Sequence, residues 1–279
     1  MRIDEEKLAL LDDAVAWGEK YGLHINIAMH RLPGYCVNPD EEHEETMDLW
    51  TQAEAREAAV LHWTTIGKRY KDISSDKLSF NIVNEPMHTV TPEQYRVVAN
   101  SVIKAVRETT PNRLFLIDGL HCGELPPVDQ FMKMENCGFS CHAYAPQGLT
   151  HYCASNQPFY ENHPPQWPGA MRFEEDGEIT VWDGARLKRL YSLWTAWAEA
   201  TGSGVHCGEW GCYCKTPHDV TLRWMEEVLD ILKSCNIGWA LWNLHGTFGV
   251  MDSHREDVDY TNCAGFLLDK KMMQLLQKY

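Results

Sequence analysis

Short apolar runs alternate with longer amphipathic segments along most of the chain. The apolar runs have the length and composition of buried strands and cover residues 24–29, 78–83, 114–118, 139–143, 205–209 and 239–243. Helical segments separate these runs, and one further helix precedes the first of them. Such alternation is typical of right-handed crossovers and a parallel sheet flanked by helices. The pattern predicts an α/β fold with about six strands.

Capping residues mark several helix boundaries. Asp4 stands before two glutamates and Gly22 follows the first amphipathic segment, which predicts a helix between them. Residues 91–94 (Thr-Pro-Glu-Gln) have the composition of a capping box with proline at the first helical position. Asp183 is placed to cap a helix that ends near residue 200. Other helices are predicted at 49–70, 128–134, 217–235 and 270–279, with a long loop from 144 to about 182.

Polar and aromatic side chains follow the predicted strands at the point where each strand ends. They are His30, Asn84, Glu85, His142, Tyr144, Glu209 and Trp242. The carboxyl ends of parallel strands meet at one edge, and (β/α) barrels carry their chemistry there. One polar residue at a strand end is often only a loop residue, whereas seven at successive ends indicate a site. Glu85 and Glu209 provide the two carboxyl groups that cleavage of a glycosidic bond requires, one protonated and one charged.

The composition of the chain argues against some classes of binding partner. The 279 residues contain no linker-like stretch, so a single domain over residues 1–279 is expected. The net charge of −15 argues against nucleic acid, which needs clustered Lys and Arg. No run approaches the roughly 20 apolar residues that span a bilayer. A neutral polymer such as a glycan fits better than either, although solvation alone also explains the acidity.

The ten cysteines form no CxxC pair and no evident disulfide framework. Cys212 and Cys214 lie near His206, but their spacing matches no zinc pattern, and no metal is predicted. Free thiols in a reducing compartment are the default expectation, which favours a cytoplasmic location and leaves a secreted origin open. The first residues lack the apolar core of a signal peptide.

Several motifs together resemble the family five glycoside hydrolases of the cellulase clan. The matching segments are 30–35 (His-Arg-Leu-Pro-Gly-Tyr), 84–86 (Asn-Glu-Pro), 142–144 (His-Ala-Tyr), 208–211 (Gly-Glu-Trp-Gly), 240–243 (Ala-Leu-Trp-Asn), 249–253 and 265–269. Asn-Glu-Pro alone is a weak motif, whereas the ordered set is specific and extends over the whole chain. The resemblance implies a TIM-barrel-like fold and a retaining glycosidase that needs no cofactor.

The same resemblance assigns roles to the strand-end residues. Glu85 would be the acid/base and Glu209 the nucleophile, at the separation of roughly 5 Å that retention requires. Asn84 would donate to the sugar 2-hydroxyl, and Tyr144 would orient Glu209. His30 and His142 would contact sugar hydroxyls or the carboxylates, or be core histidines satisfied by the backbone. Trp242 would lie under the pyranose ring or pack in the core, and Trp167, Trp182 and Trp210 are either outer subsites or core residues.

The chain departs from the family pattern at its start. The family has eight strands and an arginine after the second, whereas this sequence opens on the helix that would follow that strand. Arg2 precedes a helix cap and is not assigned the role of that arginine. A barrel truncated to about six strands is therefore expected. Its open edges would be covered by a second copy of the chain, as a homo-oligomer, or by the loop 145–182.

The expected activity is that of a retaining endo-β-glycanase on β-1,4- or mixed-linkage glucan, with a polysaccharide or oligosaccharide as substrate. A β-mannanase or another hemicellulase is the alternative among enzymes, because these share the same strand-end residues by family resemblance. An inactive glycan-binding relic of the barrel is the alternative from another class. The two retained glutamates argue against a relic, and the absent arginine argues for one.

Overall fold

Helices and strands alternate in the order that the hydrophobic pattern predicts. The computed structural model describes residues 3–38, 46–127, 134–154, 164–172 and 179–279. The helices are α1 Glu5–Tyr21, α2 Ala53–Arg69, α3 Pro92–Arg107, α4 Leu120–Gly123, α5 Gln147–Thr150, α6 Gly184–Thr201, α7 His218–Ser234 and α8 Lys270–Leu276. The strands are β1 Ile25–Ala28, β2 Arg31–Leu32, β3 Tyr35–Cys36, β4 Leu78–Asn81, β5 Leu114–Asp118, β6 Cys137–Ala143, β7 Gly169–Arg172, β8 Ile179–Trp182, β9 Val205–Trp210, β10 Gly238–Trp239, β11 Thr261–Cys263 and β12 Phe266–Leu268.

Six strands belong to one sheet, in the order β1-β4-β5-β6-β9-β10. The pairs β1–β4, β4–β5, β5–β6 and β9–β10 are parallel. The other strands of the described chain form three two-stranded sheets, β2–β3, β7–β8 and β11–β12, each antiparallel. Parallel strands connected through helices confirm the predicted α/β class with about six strands, which is the repeating arrangement of (β/α) barrels.

The chain folds into two compact units. Unit 1 comprises Met1–Ser140 with Thr201–Gly204, and unit 2 comprises Cys141–Ala200 with Val205–Tyr279. The single domain expected from the sequence stays a prediction. Among the residues that the structure describes, no helix combines the length and the apolar character needed to cross a bilayer.

The core of unit 1 is built on β4, whose four residues are all buried. The ring of Phe80 lies 5.1 Å from that of Trp63 in α2 and 6.0 Å from that of Phe115 in β5, measured between centroids. Helix α3 buries one face, which carries Tyr95, Val98, Ala99, Val102, Ile103 and Val106. Each large side chain buried here contributes about 1.5–3 kcal/mol to folding. This packing fixes the end of β4, from which Glu85 follows four residues later.

The predicted helix caps are confirmed. Asp4 accepts hydrogen bonds from the backbone N–H groups of Glu6 and Lys7, and α1 ends at Gly22 in the left-handed conformation (φ 67°). Thr91 and Gln94 form both bonds of the capping box before α3. The Asp183 carboxylate accepts from the Arg186 N–H at 2.8 Å. Caps of this kind each contribute about 1 kcal/mol. Each is made by residues within three positions of one another, so the local sequence is enough to locate these helix ends.

Unit 2 has a tryptophan-rich core and a buried polar cluster. Trp194, Trp210 and Trp224 are among its largest fully buried side chains. The buried guanidinium of Arg255 donates to the carbonyls of Thr216 and Cys212 at 2.7 and 2.8 Å. These bonds secure the segment that follows β9. Glu209 lies at the carboxyl end of β9. Buried tryptophans pack around this strand, and the hydrogen bonds of Arg255 hold the residues that follow it.

Several boundaries differ from the sequence expectation, most clearly at the start of α2, in the last strand of the large sheet and in the segment 144–182. Helix α2 begins at Ala53 rather than near 49 because the Asp48 carboxylate accepts from the N–H of Trp50 and the hydroxyl of Thr51, which closes a turn first. The strand expected over 239–243 is regular only at Gly238–Trp239. The loop expected over 144–182 contains α5 and the β7–β8 hairpin. Nearly all of the helix expected at 128–134 lies outside the described residues.

Candidate active site

Glu85 follows β4 in a backbone conformation that non-glycine residues rarely adopt. Its φ is 51°, in the left-handed region. Two hydrogen bonds hold its backbone: its N–H donates to a carboxylate oxygen of Asp118 at 2.9 Å, and its carbonyl accepts from the Tyr35 hydroxyl at 2.5 Å. The side chain is half-buried. Unit 1 therefore presents one carboxyl group whose backbone position is defined by neighbouring side chains.

Asn84 and His30 follow the ends of two adjacent strands, β4 and β1. The side-chain amide of Asn84 is buried and donates to Glu85 Oε2 at 3.4 Å, which is a long hydrogen bond. The Asn84 N–H donates to the carbonyl of Met29 at 3.0 Å, one residue before the half-buried His30. The ends of β1 and β4 thus carry these three predicted residues together, as their parallel pairing requires.

Two residues beside Glu85 were not anticipated from the sequence. Asp118 ends β5 and is 0% exposed, and its second carboxylate oxygen accepts from the Asn81 side-chain amide at 2.6 Å. Tyr35 accepts from the Met87 N–H at 3.1 Å while it donates to Glu85. Burial raises the pKa of Tyr35 well above its ordinary value, so its hydroxyl stays a donor. A charged residue inside an otherwise apolar run, at 114–118, was the signal that could have identified Asp118.

Glu209 occupies a regular position near the end of β9 and is 8% exposed. Its Oε2 accepts from the Tyr144 hydroxyl at 3.1 Å, and His142 Nδ1 lies 3.9 Å from the same oxygen. The structure thus brings His142, Tyr144 and Glu209 together within unit 2. Hydrogen bonding to the ionised form of a carboxyl group stabilises its charge. This environment suits a carboxylate that acts while charged.

The residues after Glu209 hold the next segment of unit 2 close to β9. The Trp242 N–H donates to the Trp210 carbonyl at 2.8 Å. A Cβ at Gly211 would stand 2.4 Å from the Trp242 carbonyl oxygen, so this approach requires glycine. The Trp242–Asn243 peptide bond is cis. The Trp242 side chain is 38% exposed beside the end of β9, which suits a surface that a ligand can contact.

The loop tryptophans divide between core and surface. Trp210 is 0% exposed, because alternation along β9 turns it to the side opposite Glu209, where its ring lies 5.5 Å from that of Trp239. Trp167 is also buried and donates its indole N–H to Glu227 at 3.1 Å. These two are core residues and not outer subsites. Trp182 is half-buried, with the Arg186 guanidinium 4.2 Å above its ring centre.

An aromatic cluster next to Tyr144 was also missed. It consists of Tyr144, His151, Tyr213 and Phe248, with Phe248 at its centre; the Phe248 centroid lies 6.2, 5.3 and 5.5 Å from those of Tyr144, His151 and Tyr213. The four rings come from three separate segments of unit 2, which explains why no local sequence pattern revealed them. They hold the ring of Tyr144, and with it the hydroxyl that donates to Glu209.

Cys212 and Cys214 lie just beyond β9 and are buried. Burial raises the pKa of Cys212 to about 12, against the effect of the nearby Arg255 guanidinium. A thiol must lose its proton to bind zinc. The Cys212 carbonyl accepts a hydrogen bond from Arg255, so the segment after β9 contributes to the packing of unit 2.

Comparison with known proteins places these features in a family. The family model Cellulase (glycosyl hydrolase family 5) matches residues 1–247. Cellodextrinase A of Ruminococcus flavefaciens is 24% identical over 230 residues, which are 81% of this chain and 64% of that protein. Endoglucanase C of Acetivibrio thermocellus is 22% identical over 256 residues, 86% of this chain and 73% of that protein. The chain therefore spans less than two thirds of the length of the cellodextrinase.

Solved structures agree with the fold. The crystal structure of a glycoside hydrolase that is 30% identical superposes with a TM-score of 0.88, over 99% of this chain and 82% of the other. Thermotoga maritima Cel5A in complex with a mannotriose substrate gives a TM-score of 0.71 at 22% identity, over 90% of this chain and 75% of the other. With the family match extending over most of its length, the chain belongs to glycosyl hydrolase family 5, the cellulase family.

Proposed function

We propose that the chain is a retaining endo-β-glycanase on β-1,4- or mixed-linkage glucan, with Glu85 as acid/base and Glu209 as nucleophile. The observation that carries the proposal is the buried Glu209 carboxylate, which accepts from the Tyr144 hydroxyl at 3.1 Å and lies beside His142. A nucleophilic carboxylate must be charged, oriented and shielded from water before it attacks, and these contacts favour all three. Membership of the cellulase family supports the reaction class.

The first step transfers the sugar to the enzyme. A Glu209 oxygen forms a bond to the anomeric carbon while the glycosidic C–O bond breaks. Glu85 gives its proton to the departing oxygen, so the leaving sugar departs as a neutral alcohol. Charge then moves from Glu209 to Glu85. Tyr144 holds the attacking carboxylate in one orientation during this step and limits the entropy lost on reaching the transition state.

The second step releases the sugar. Glu85, now ionised, takes a proton from water as the water oxygen bonds to the anomeric carbon, and the bond to Glu209 breaks. Both carboxyl groups return to their starting protonation states. Two displacements at one carbon retain the β configuration. The proposal requires the two glutamates to act on one anomeric carbon.

The other predicted residues contact substrate in this proposal. Asn84 donates to the sugar 2-hydroxyl, a bond that strengthens in the transition state. His30 and His142 contact sugar hydroxyls or the carboxylates. Trp242, which is 38% exposed, offers an apolar face to the pyranose ring. None of these roles needs a cofactor.

The glucan preference rests on relatives that are named endoglucanase and cellodextrinase. A β-mannanase or other hemicellulase activity is the second candidate, because the Thermotoga maritima structure of the same fold contains mannotriose. An inactive glycan-binding relic is the candidate from a different class. It predicts binding without turnover, whereas either enzyme predicts turnover that depends on both glutamates.

A substrate panel tests the proposal. Reducing-sugar release is measured on carboxymethylcellulose, barley β-glucan, lichenan, xylan and mannan, with the wild type, Glu85→Gln and Glu209→Gln. Glu54→Gln in α2 and Glu199→Gln in α6 are matched controls, since both glutamates are exposed on helices. We expect turnover on a glucan, a loss of several orders of magnitude in both active-site variants, and wild-type rates in the controls.

Two outcomes would contradict the proposal. Binding to glucan without turnover in the wild type would favour the glycan-binding relic. Full activity in Glu209→Gln would exclude this residue as the nucleophile. The anomer formed first, observed by proton NMR, separates retention from inversion: the β anomer is expected, and the α anomer would exclude a double displacement.

A further inference from the structure

The backbone of Glu85 needs a restraint from outside its own segment. Its φ of 51° lies in the left-handed region, where contact between Cβ and the following carbonyl disfavours residues other than glycine. Observed strain at a functional site persists only where the surroundings fix it. The side chain of a residue in this conformation points in a direction that the ordinary conformations do not reach. The orientation of the Glu85 carboxyl therefore depends on whatever maintains this φ.

Asp118 supplies the first restraint. It is fully buried at the end of β5, the strand next to β4, and one of its oxygens accepts the Glu85 N–H at 2.9 Å. Its other oxygen accepts from the Asn81 amide at 2.6 Å, and its backbone carbonyl accepts from the Tyr95 hydroxyl at 3.1 Å. A buried carboxylate that is anchored through its other oxygen and through its backbone carbonyl can hold a peptide N–H in one place.

Tyr35 supplies the second restraint, on the opposite side of the same residue. Its hydroxyl donates to the Glu85 carbonyl at 2.5 Å and accepts from the Met87 N–H at 3.1 Å. Its ring is fixed edge-on against Trp50 with the centroids 4.8 Å apart. The Cys122 N–H also donates to the Pro86 carbonyl at 3.0 Å. Both peptide groups of Glu85 are thus bound by side chains from other segments.

We infer that Asp118 and Tyr35 are positioning residues for proton transfer, which hold Glu85 in the left-handed conformation that aims its carboxyl group at the glycosidic oxygen. The inference rests on the proposed role of Glu85 as acid/base. Neither residue is required to touch the substrate. Their effect on the reaction passes through the placement of one proton donor.

This role has a signature that a general loss of stability lacks. A phenolate leaving group needs help from a general acid, whereas a dinitrophenolate departs well without it. The kcat/KM on an aryl glycoside reports the first chemical step. Phenyl β-cellobioside and 2,4-dinitrophenyl β-cellobioside carry the same sugar, so their binding on the sugar side is matched. If the Glu85 carboxyl group is displaced, only the hydrolysis of the phenyl substrate should become slower.

The experiment compares both substrates in Asp118→Ala, Tyr35→Phe and a matched control. Displacing a catalytic group by about 1 Å costs about 100-fold, which is the fall in kcat/KM expected for Asp118→Ala on the phenyl substrate. On the dinitrophenyl substrate we expect at most about threefold. Tyr35→Phe keeps the ring against Trp50 and should lower kcat/KM on the phenyl substrate by about tenfold more than on the dinitrophenyl substrate.

Asp269→Ala is the matched control. Asp269 is also a fully buried carboxylate; it accepts one backbone N–H, from Met272 at 3.0 Å, and lies 2.7 Å from His218 Nε2 in unit 2. Its removal costs a similar set of contacts without touching Glu85. It should lower stability and change the two substrates equally.

Asp118→Asn tests recovery. The new amide keeps an oxygen for the Glu85 N–H, and Asn81 can turn its own amide oxygen, which has no hydrogen-bond partner in the described part of the chain, toward the new NH₂ group. On the phenyl substrate, we expect kcat/KM of Asp118→Asn to be at least about tenfold higher than that of Asp118→Ala. If Asp118→Ala does not fold, Tyr35→Phe and Asp118→Asn still give the comparison.

The outcomes separate this inference from the proposed function. Equal slowing of both substrates in Asp118→Ala and Tyr35→Phe, with Glu85→Gln selectively slow on the phenyl substrate, would overturn the positioning role and leave Glu85 as the acid. A Glu85→Gln variant that is as fast as the wild type on the phenyl substrate would overturn both.

Discussion

The two glutamates that we propose as catalytic are held in different ways. Around Glu85, the contacts from Asp118 and Tyr35 bind the backbone, which has a strained φ. Around Glu209, the strand is regular and the contacts from Tyr144 and His142 are made to the carboxylate itself. Glu85 is half-buried, whereas Glu209 is 8% exposed.

This difference matches the two roles proposed for the glutamates. An acid/base must gain and lose a proton in each cycle, so its position can be fixed through the backbone while its carboxyl group changes state. A nucleophile begins each cycle charged, and hydrogen bonds to its oxygens favour that charge. Five experiments test this comparison.

Azide should distinguish the two glutamates most strongly. In Glu85→Gln, 2,4-dinitrophenyl β-cellobioside still forms the glycosyl-enzyme, and azide should attack it without base catalysis and restore turnover with a β-glycosyl azide as product. In Glu209→Gln, no glycosyl-enzyme can form, and the rate should fall by several orders of magnitude. Direct attack by azide would then give the α-glycosyl azide. Chromatography and NMR of the products check this. The same azide anomer from both variants would contradict the assigned roles.

Two neighbouring tryptophans should respond in opposite ways. Trp210→Ala removes a fully buried core ring, and we expect the free energy of unfolding to fall by about 3–5 kcal/mol. Trp242→Ala removes a partly exposed ring, which should leave stability almost unchanged and lower kcat/KM about tenfold through lost contact with the sugar. Urea unfolding and steady-state kinetics on both variants check this. A stable Trp210→Ala or an unfolded Trp242→Ala would reverse the assignment of core and surface.

Tyr144→Phe removes the hydroxyl that donates to Glu209 and keeps the ring inside the aromatic cluster. A hydrogen bond to a charged group is worth about 1.5–3 kcal/mol, so kcat should fall about 10- to 100-fold. Tyr213→Phe makes the same chemical change at another ring of this cluster and should have much less effect. Equal kinetics in the two variants would show that the hydroxyl does not contribute through Glu209.

Asp269 should contribute to acid stability. Burial raises its pKa, but the hydrogen bonds from His218 and the Met272 N–H outweigh burial and hold the pKa of Asp269 below its ordinary value. A depressed pKa adds stability that is complete above about pH 5 and is lost as the pH falls below about 4. Urea unfolding from pH 6 to pH 3 should therefore show a shallower pH dependence for Asp269→Asn than for the wild type or Asp13→Asn, an exposed control. Parallel curves would contradict this.

Self-association stays a prediction, and the exposed side of α1 is where we would test it. Leu10, Trp17 and Tyr21 are 71%, 60% and 64% exposed and recur at helical spacing on that helix. Multi-angle light scattering should show a dimer that Trp17→Glu weakens. A compact monomer at all concentrations would remove the prediction.

The sequence predicted well the features that depend on local patterns. The caps at Asp4, Thr91 and Asp183 are local hydrogen bonds between near neighbours, and each was located correctly. The six sheet strands follow from continuous apolar runs. The proposed catalytic pair was suggested by motifs whose residues are adjacent in sequence, 84–86 and 208–211, and its roles stay a prediction.

Most of the features that sequence missed depend on contacts between distant segments. Asp118 reaches Glu85 across 33 positions, and the Phe248 cluster joins rings from three segments. Trp210 shares a motif with Glu209, yet strand alternation places it in the core. Helix α2 begins later than its apolar pattern suggests because the side chain of Asp48 closes a turn. Packing and register, which a single sequence does not show, decided the first three of these, whereas the turn at Asp48 is a local structure that competes with the helix.

Trapping the covalent intermediate tests the central claim most directly. An activated 2-deoxy-2-fluoro β-cellobioside forms the glycosyl-enzyme and slows its hydrolysis, and peptide mass spectrometry then locates the sugar. We predict one cellobiosyl group on Glu209, in the wild type and in Glu85→Gln, and none in Glu209→Gln. A label on Glu85, or steady turnover of natural substrate with no labelled peptide, would contradict the assignment of Glu209 as nucleophile.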